Sequence, residues 1–100
     1  MTLQEAKDAA ADWAAQRQHV VRAWVFGSYC KGTARSDSDL DVAVEFDIPH
    51  EQETPLSLWM ADIVVNGVSF HLVRFRGDFT PIVKAALQEC SILVFDRAKG

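Results

Sequence analysis

Apolar residues near the start of the chain recur at the spacing of an amphipathic helix. These residues are Leu3, Ala6, Ala10 and Trp13, and charged residues occupy the other faces. Thr2 and Glu5 fit a capping box, in which the side chain of each residue bonds the backbone N–H of the other. The pattern predicts a helix over residues 3–18.

Four later segments have the short apolar or alternating patterns of β-strands, and they span residues 20–26, 40–46, 68–75 and 91–95. The first is rich in β-branched and aromatic residues and stops at Gly27, which predicts a buried strand. A short helical turn is expected to begin at Ser28. The second alternates apolar with acidic residues, which predicts a strand with one apolar face and one acidic face.

Two further segments open with a threonine–proline pair, which is typical of a helix start. We predict helices over residues 54–65 and 80–90. Asn66-Gly67 between apolar runs is also a strong hairpin signal, but we favour a helix because a strand would place Trp59 and Met60 on opposite faces. Helices and strands then alternate, which predicts an α/β (α+β) domain with a small mixed sheet flanked by helices.

The composition bounds the class of protein. A chain of 100 residues, 49% of them hydrophobic, fits one domain over residues 1–100 with one core. A net charge of −4 argues against direct nucleic-acid binding, which usually needs a basic face. No apolar run approaches the ~20 residues of a membrane helix, and the N-terminus does not resemble a signal peptide. We therefore expect a cytoplasmic protein that makes no membrane contact.

The two cysteines are Cys30 and Cys90, which are far apart in the sequence and form no CxxC motif. Free thiols in a reducing compartment are the expectation for such a pair.

One constellation carries candidate chemistry: Gly27-Ser28, ten residues, then Asp39-Leu40-Asp41. Gly27 has no Cβ and would let a ligand approach the backbone closely. The helical turn at Ser28 would present N–H groups that favour phosphate, and the Ser28 hydroxyl adds a donor. Asp39 and Asp41 would project from one face of a strand. Such a carboxylate pair, together with substrate phosphates, suits Mg²⁺.

Residues 26–46, which read FGSYCKGTARSDSDLDVAVEF, resemble the signature of the DNA polymerase β superfamily of nucleotidyltransferases. They are most similar to its minimal nucleotidyltransferase (MNT) branch, and the similarity extends loosely over the whole chain. The resemblance implies the polymerase β-like fold and a two-metal transfer of a nucleotide. In that case Asp39 and Asp41 are catalytic ligands of Mg²⁺, and Gly27 and Ser28 contact the triphosphate.

Two basic residues, Lys31 and Arg35, lie between the halves of this motif. They are candidate nucleotide-binding residues that would meet the phosphates. A solvated loop with local pairing to Asp37 is the alternative interpretation.

The main departure from the family pattern is His71. The family supplies a third catalytic carboxylate from the next core strand, and His71 stands at that position. An imidazole can bind a metal, but Mg²⁺ prefers oxygen ligands. Nucleotide binding is therefore expected to persist while catalysis is weakened, unless Glu45 or Asp62 compensates. A packed or exposed strand histidine is the alternative to a catalytic His71.

The resemblance to the MNT branch implies a function. It implies transfer of a nucleoside monophosphate, AMP from ATP, to a hydroxyl group on a partner protein. Chains of this branch resemble antitoxins that modify an all-helical HEPN-domain toxin. The alternative is an antitoxin of the same fold that is catalytically weak or inactive and acts by binding its partner, which His71 favours. Transfer to a small molecule, as in aminoglycoside nucleotidyltransferases, is a weaker third hypothesis.

Overall fold

Three helices and five strands make up the part of the chain that the computed structural model describes, which is residues 1–17, 19–46, 60–75 and 81–98. The helices are α1 (Leu3–Ala15), α2 (Gly27–Lys31) and α3 (Pro81–Glu89), and the strands are β1 (Val20–Phe26), β2 (Leu40–Phe46), β3 (Met60–Val65), β4 (Val68–Phe75) and β5 (Ser91–Asp96). None of these helices has the length and apolar character needed to cross a membrane.

The five strands form one mixed sheet in the order β3-β4-β2-β1-β5. Strands β2 and β4 are parallel, and the other neighbouring strands are antiparallel. Asp41 of β2 therefore lies between Phe26 at the end of β1 and His71 of β4. This architecture confirms the predicted α/β (α+β) fold with a small mixed sheet flanked by helices.

Helix α1 packs its apolar face on one side of the sheet, where the main core lies. The predicted capping box is present: the Glu5 N–H donates to Thr2 Oγ1 at 3.1 Å, and the Thr2 N–H donates to Glu5 Oε1 at 2.8 Å. The helix ends at Ala15, slightly earlier than predicted, with Gln16 as its C-cap. The Trp13 ring packs against Phe70, with ring centroids 6.2 Å apart.

Alternate residues of β2 lie on opposite faces of the sheet. Leu40, Val42 and Val44 are fully buried in the main core, which confirms the predicted apolar face. On the opposite face, a smaller cluster of buried residues packs against α3; its members are Phe26, Ala43 and Val73, with Val83, Ala86 and Leu87 from the helix. By the two-residue period of a strand, Asp41 belongs to this second face.

The prediction of a helix over residues 54–65 is wrong for its last part, because residues 60–65 form strand β3. Residues 54–59, including the proposed helix start, lie outside the described residues. Asn66 and Gly67, with φ of 51° and 81°, form the two-residue turn of a β3–β4 hairpin. Ile63 and Val65 contact the core, whereas Val64 is exposed. Pairing with β4 therefore makes residues 60–65 a strand, although the spacing of their apolar residues also suits a helix.

The prediction of two free thiols is also wrong, because Cys30 and Cys90 form a disulfide. They are 60 residues apart in sequence, but the end of α2 and the residue after α3 meet, with a Cα–Cα distance of 5.9 Å. Disulfides are typical of oxidising compartments. The cysteines therefore no longer support the expectation of a reducing one.

Loss of this disulfide is expected to destabilise the fold. Because the cross-link closes a loop of 60 residues, we expect the Cys90→Ser variant to lose about 2–4 kcal/mol of unfolding free energy through the larger entropy of its unfolded chain. Urea denaturation with and without a reductant measures this loss. The doubly substituted Cys30→Ser, Cys90→Ser chain is the control, on which the reductant should have no effect. An unchanged midpoint for the reduced wild-type chain would contradict the prediction.

Candidate active site

The carboxylate of Asp41 lies directly against Gly27. A Cβ added at Gly27 would overlap this carboxylate, and the φ of Gly27 is +69°, a conformation that favours glycine. The sequence predicted that the missing side chain of Gly27 would make room for a ligand. The structure instead fills that space with the Asp41 side chain.

Asp41 is a partly desolvated carboxylate. Burial raises its pKa above the ordinary value of 3.8, and the charge of Asp39 raises it further. The positive charge that His71 has when it is protonated, and a hydrogen bond from the Ser28 backbone N–H, act in the opposite direction and lower this pKa. The Ser28 N–H, which the sequence assigned to phosphate, therefore donates to Asp41. The Ser28 hydroxyl remains a candidate donor to a ligand.

The pair of Asp39 and Asp41 fits a cation that completes its coordination elsewhere. Asp39 is exposed just before β2, Asp41 is half-buried, and the two carboxylates are close enough to repel. Within the described ranges, no group of three His, Cys, Asp or Glu side chains is placed to hold a metal. Two carboxylates suit Mg²⁺, because it usually takes one or two carboxylates and draws its other ligands from water and phosphate.

His71 lies next to Asp41 on β4, and it is paired on its other side with Asp62 of β3. Its Nδ1 is 2.7 Å from Asp62 Oδ1. The helix predicted over residues 54–65 obscured this contact, and Asp62 was only a weak candidate in the sequence. The structure thus brings three titratable side chains into register across β2, β4 and β3.

The other three residues considered in the sequence, Lys31, Arg35 and Glu45, have contacts outside the row formed by Asp41, His71 and Asp62. Lys31 Nζ is 2.8 Å from Glu89 Oε1, so the end of α2 is ion-paired with α3. Arg35 is exposed in the loop before β2, where its backbone N–H donates to Ser38 Oγ at 2.8 Å. Glu45, a candidate replacement for the third carboxylate, instead contacts Arg22 at 3.2 Å.

Comparison with known proteins identifies a family. The model of the family described as "Polymerase beta, Nucleotidyltransferase" matches residues 10–99, which is most of the chain and includes the whole motif. No curated protein and no solved structure matches the chain. The match agrees with the mixed five-stranded sheet and its flanking helices.

Gly27→Ala and Gly32→Ala form a matched pair that tests the contact with Asp41. Both glycines have positive φ, +69° and +79°, but a Cβ at Gly32 would meet nothing within 4 Å. We expect Gly27→Ala to lose about 1–3 kcal/mol more unfolding free energy than Gly32→Ala, because it adds overpacking to the same backbone strain. Urea denaturation measures both losses. The extra loss should vanish in an Asp41→Ala background, and its persistence there would show that the contact is not its cause.

Proposed function

We propose that this chain, which belongs to the polymerase beta nucleotidyltransferase family, transfers a nucleoside monophosphate, AMP from ATP, to a hydroxyl group in a Mg²⁺-dependent reaction. The observation that supports this proposal is the Asp41 carboxylate, which is half-buried beside the like charge of Asp39. Stability alone poorly explains such a placement, because burial and repulsion both oppose the charged form. A bound cation would relieve both effects.

In this proposal, Asp39 and Asp41 hold Mg²⁺. A metal bound there would stabilise the negative charge that develops on the transferred phosphoryl group. Gly27 and Ser28 lie beside Asp41. The Gly27 backbone and the Ser28 hydroxyl would contact the triphosphate. The acceptor hydroxyl gives up its proton to a base, and its oxygen forms a bond to the α-phosphorus. The bond from that phosphorus to the bridging oxygen breaks, and pyrophosphate leaves with the electrons of that bond.

Lys31 and Arg35 are proposed to bind the outer phosphates. Arg35 is exposed in the loop that follows α2, and Lys31 ends that helix. The ion pair of Lys31 with Glu89 is formed by two exposed side chains, and such pairs contribute about 0–1 kcal/mol. Exchange of Glu89 for a phosphate group would therefore cost little.

Binding of ATP should depend on Mg²⁺ and on both aspartates. We expect Asp39→Asn and Asp41→Asn each to weaken Mg²⁺-dependent ATP binding by about tenfold or more, which is about 1.4 kcal/mol, because each removes a negatively charged ligand of the cation. Titration calorimetry with Mg²⁺ and with EDTA measures the affinity. Asp8→Asn, an exposed change on α1, is the matched control and should bind like wild type. Equal affinity with and without Mg²⁺, unchanged in both variants, would refute the metal site.

The acceptor is proposed to be a hydroxyl on an all-helical HEPN-type toxin, which gives this chain an antitoxin role. The support is the resemblance of residues 26–46 to the MNT branch. The second candidate function is neutralisation of the same partner by binding alone. The observation that favours it is His71, which stands where the family pattern has a third carboxylate.

Mass spectrometry of the partner separates the two functions. The chain is mixed with Mg²⁺, ATP and a HEPN-domain protein, the proposed class of partner. We expect the partner to gain one or more AMP groups, and we expect none with Asp41→Asn, because that variant loses a metal ligand. A stable complex with an unmodified partner would instead support binding without transfer.

A further inference from the structure

A row of three side chains crosses the sheet at the candidate site. The strand register places Asp41 opposite His71 and His71 opposite Asp62. Of the three, Asp62 belongs to no part of the recognised motif. Its carboxylate is 2.7 Å from His71 Nδ1, which is hydrogen-bonding distance.

This contact favours one position for the proton of a neutral His71 imidazole. An ionised carboxylate can only accept hydrogen bonds, so His71 Nδ1 must be the donor to Asp62. In the neutral imidazole, Nε2 then has no proton and offers a lone pair. Orientation of a histidine through its other ring nitrogen is a common device in sites that need one defined tautomer.

The contact adds little to stability. The side chain of Asp62 is 79% exposed and that of His71 is 32% exposed. Exposed ion pairs and hydrogen bonds contribute little to folding because water competes for both partners. The contact is therefore better explained by its effect on His71 than by its effect on the fold.

We propose that Asp62 is a positioning residue, which holds His71 with Nε2 free to accept the proton of the acceptor hydroxyl. This inference rests on the proposed nucleotidyl transfer and deepens it. It identifies the pair of Asp62 and His71 as the replacement for the family's third carboxylate. The negative charge then lies on Asp62 of β3, one strand further out than the family's carboxylate on β4. It acts on the reaction through the imidazole of His71.

The proton transfer balances within the proposed reaction. The acceptor O–H bond breaks as its proton moves to His71 Nε2, and the freed electron pair forms the new bond to the α-phosphorus. The bond from that phosphorus to the bridging oxygen breaks, and pyrophosphate leaves with its electrons. The imidazolium that results is stabilised by the Asp62 carboxylate, as in other histidine–carboxylate pairs.

The tautomer of His71 is the first test, and it needs neither metal nor nucleotide. Nitrogen NMR distinguishes protonated from unprotonated ring nitrogens, and His71→Ala identifies the signals of this ring among the three histidines. We expect neutral His71 to carry its proton on Nδ1 in the wild-type chain and in the Asp8→Asn control. Asp62→Ala should lose this preference, and Asp62→Glu should restore it at least in part. A proton on Nε2 in the wild type, or no change in Asp62→Ala, would overturn the inference.

Turnover is the second test. Cleavage of ATP to AMP and pyrophosphate, with Mg²⁺ and with water as the acceptor, is measured without the natural partner. We expect Asp62→Ala to lower kcat by about 10–100-fold, the usual loss when an orienting partner is removed, while calorimetric ATP affinity stays unchanged. Asp62→Glu should recover part of the rate. His71→Ala should lower kcat at least as much as Asp62→Ala does. Removal of Asp62 from the His71→Ala chain should lower kcat no further.

The outcomes separate this inference from the proposed function. If the wild-type chain cleaves ATP and Asp62→Ala matches its kcat, the inference alone fails. If the wild-type chain neither binds nor cleaves ATP, the proposed function fails. An Nδ1 tautomer would then make Asp62 only a structural partner of His71, which overturns its role in proton transfer.

Discussion

The close contact between Asp41 and Gly27 is the constraint on which the candidate site depends. The Asp41 carboxylate takes the space of a side chain at residue 27, so the residue that follows β1 must be a glycine. The positive φ of Gly27 turns the chain from β1 into α2, and the Ser28 N–H then reaches the same carboxylate. One contact thus couples the turn, the helix start and the acidic strand. It also joins the two halves of the motif, which ten residues separate in the sequence.

Local signals in the sequence predicted the parts of the fold that depend on neighbouring residues. The capping box of α1 and the alternation of β2 are of this kind, as are Gly27-Ser28 and the two aspartates after it. The helix prediction failed over residues 60–65 because so short an apolar run suits both a helix and a strand. The Asn66-Gly67 hairpin signal would have predicted a strand before the turn. A two-residue turn places residue 65 opposite residue 68, and the same register places Asp62 opposite His71.

Contacts between distant segments could not be predicted in the same way. The parallel register of β2 with β4 places His71 beside Asp41, and it depends on strands separated by a long connection. The disulfide needs the end of α2 to meet the residue after α3, which no spacing in the sequence reveals. The ion pair of Lys31 with Glu89 joins the same two helices. Helix α3 is therefore tied to the helix that follows Gly27, on the face of the sheet that carries Asp41.

The ionised carboxylate of Asp41 lowers the free energy of unfolding. Because its pKa is raised in the folded chain, the folded state holds this proton more tightly than the unfolded state. The free energy of unfolding therefore falls as pH rises from the ordinary aspartate range through the raised pKa, and the whole penalty is present above that pKa. A cation that binds only the folded chain would offset this penalty, because ligand binding to the native state adds to stability. The same carboxylate thus destabilises the folded chain, and this destabilisation supports the proposal that the site binds a metal.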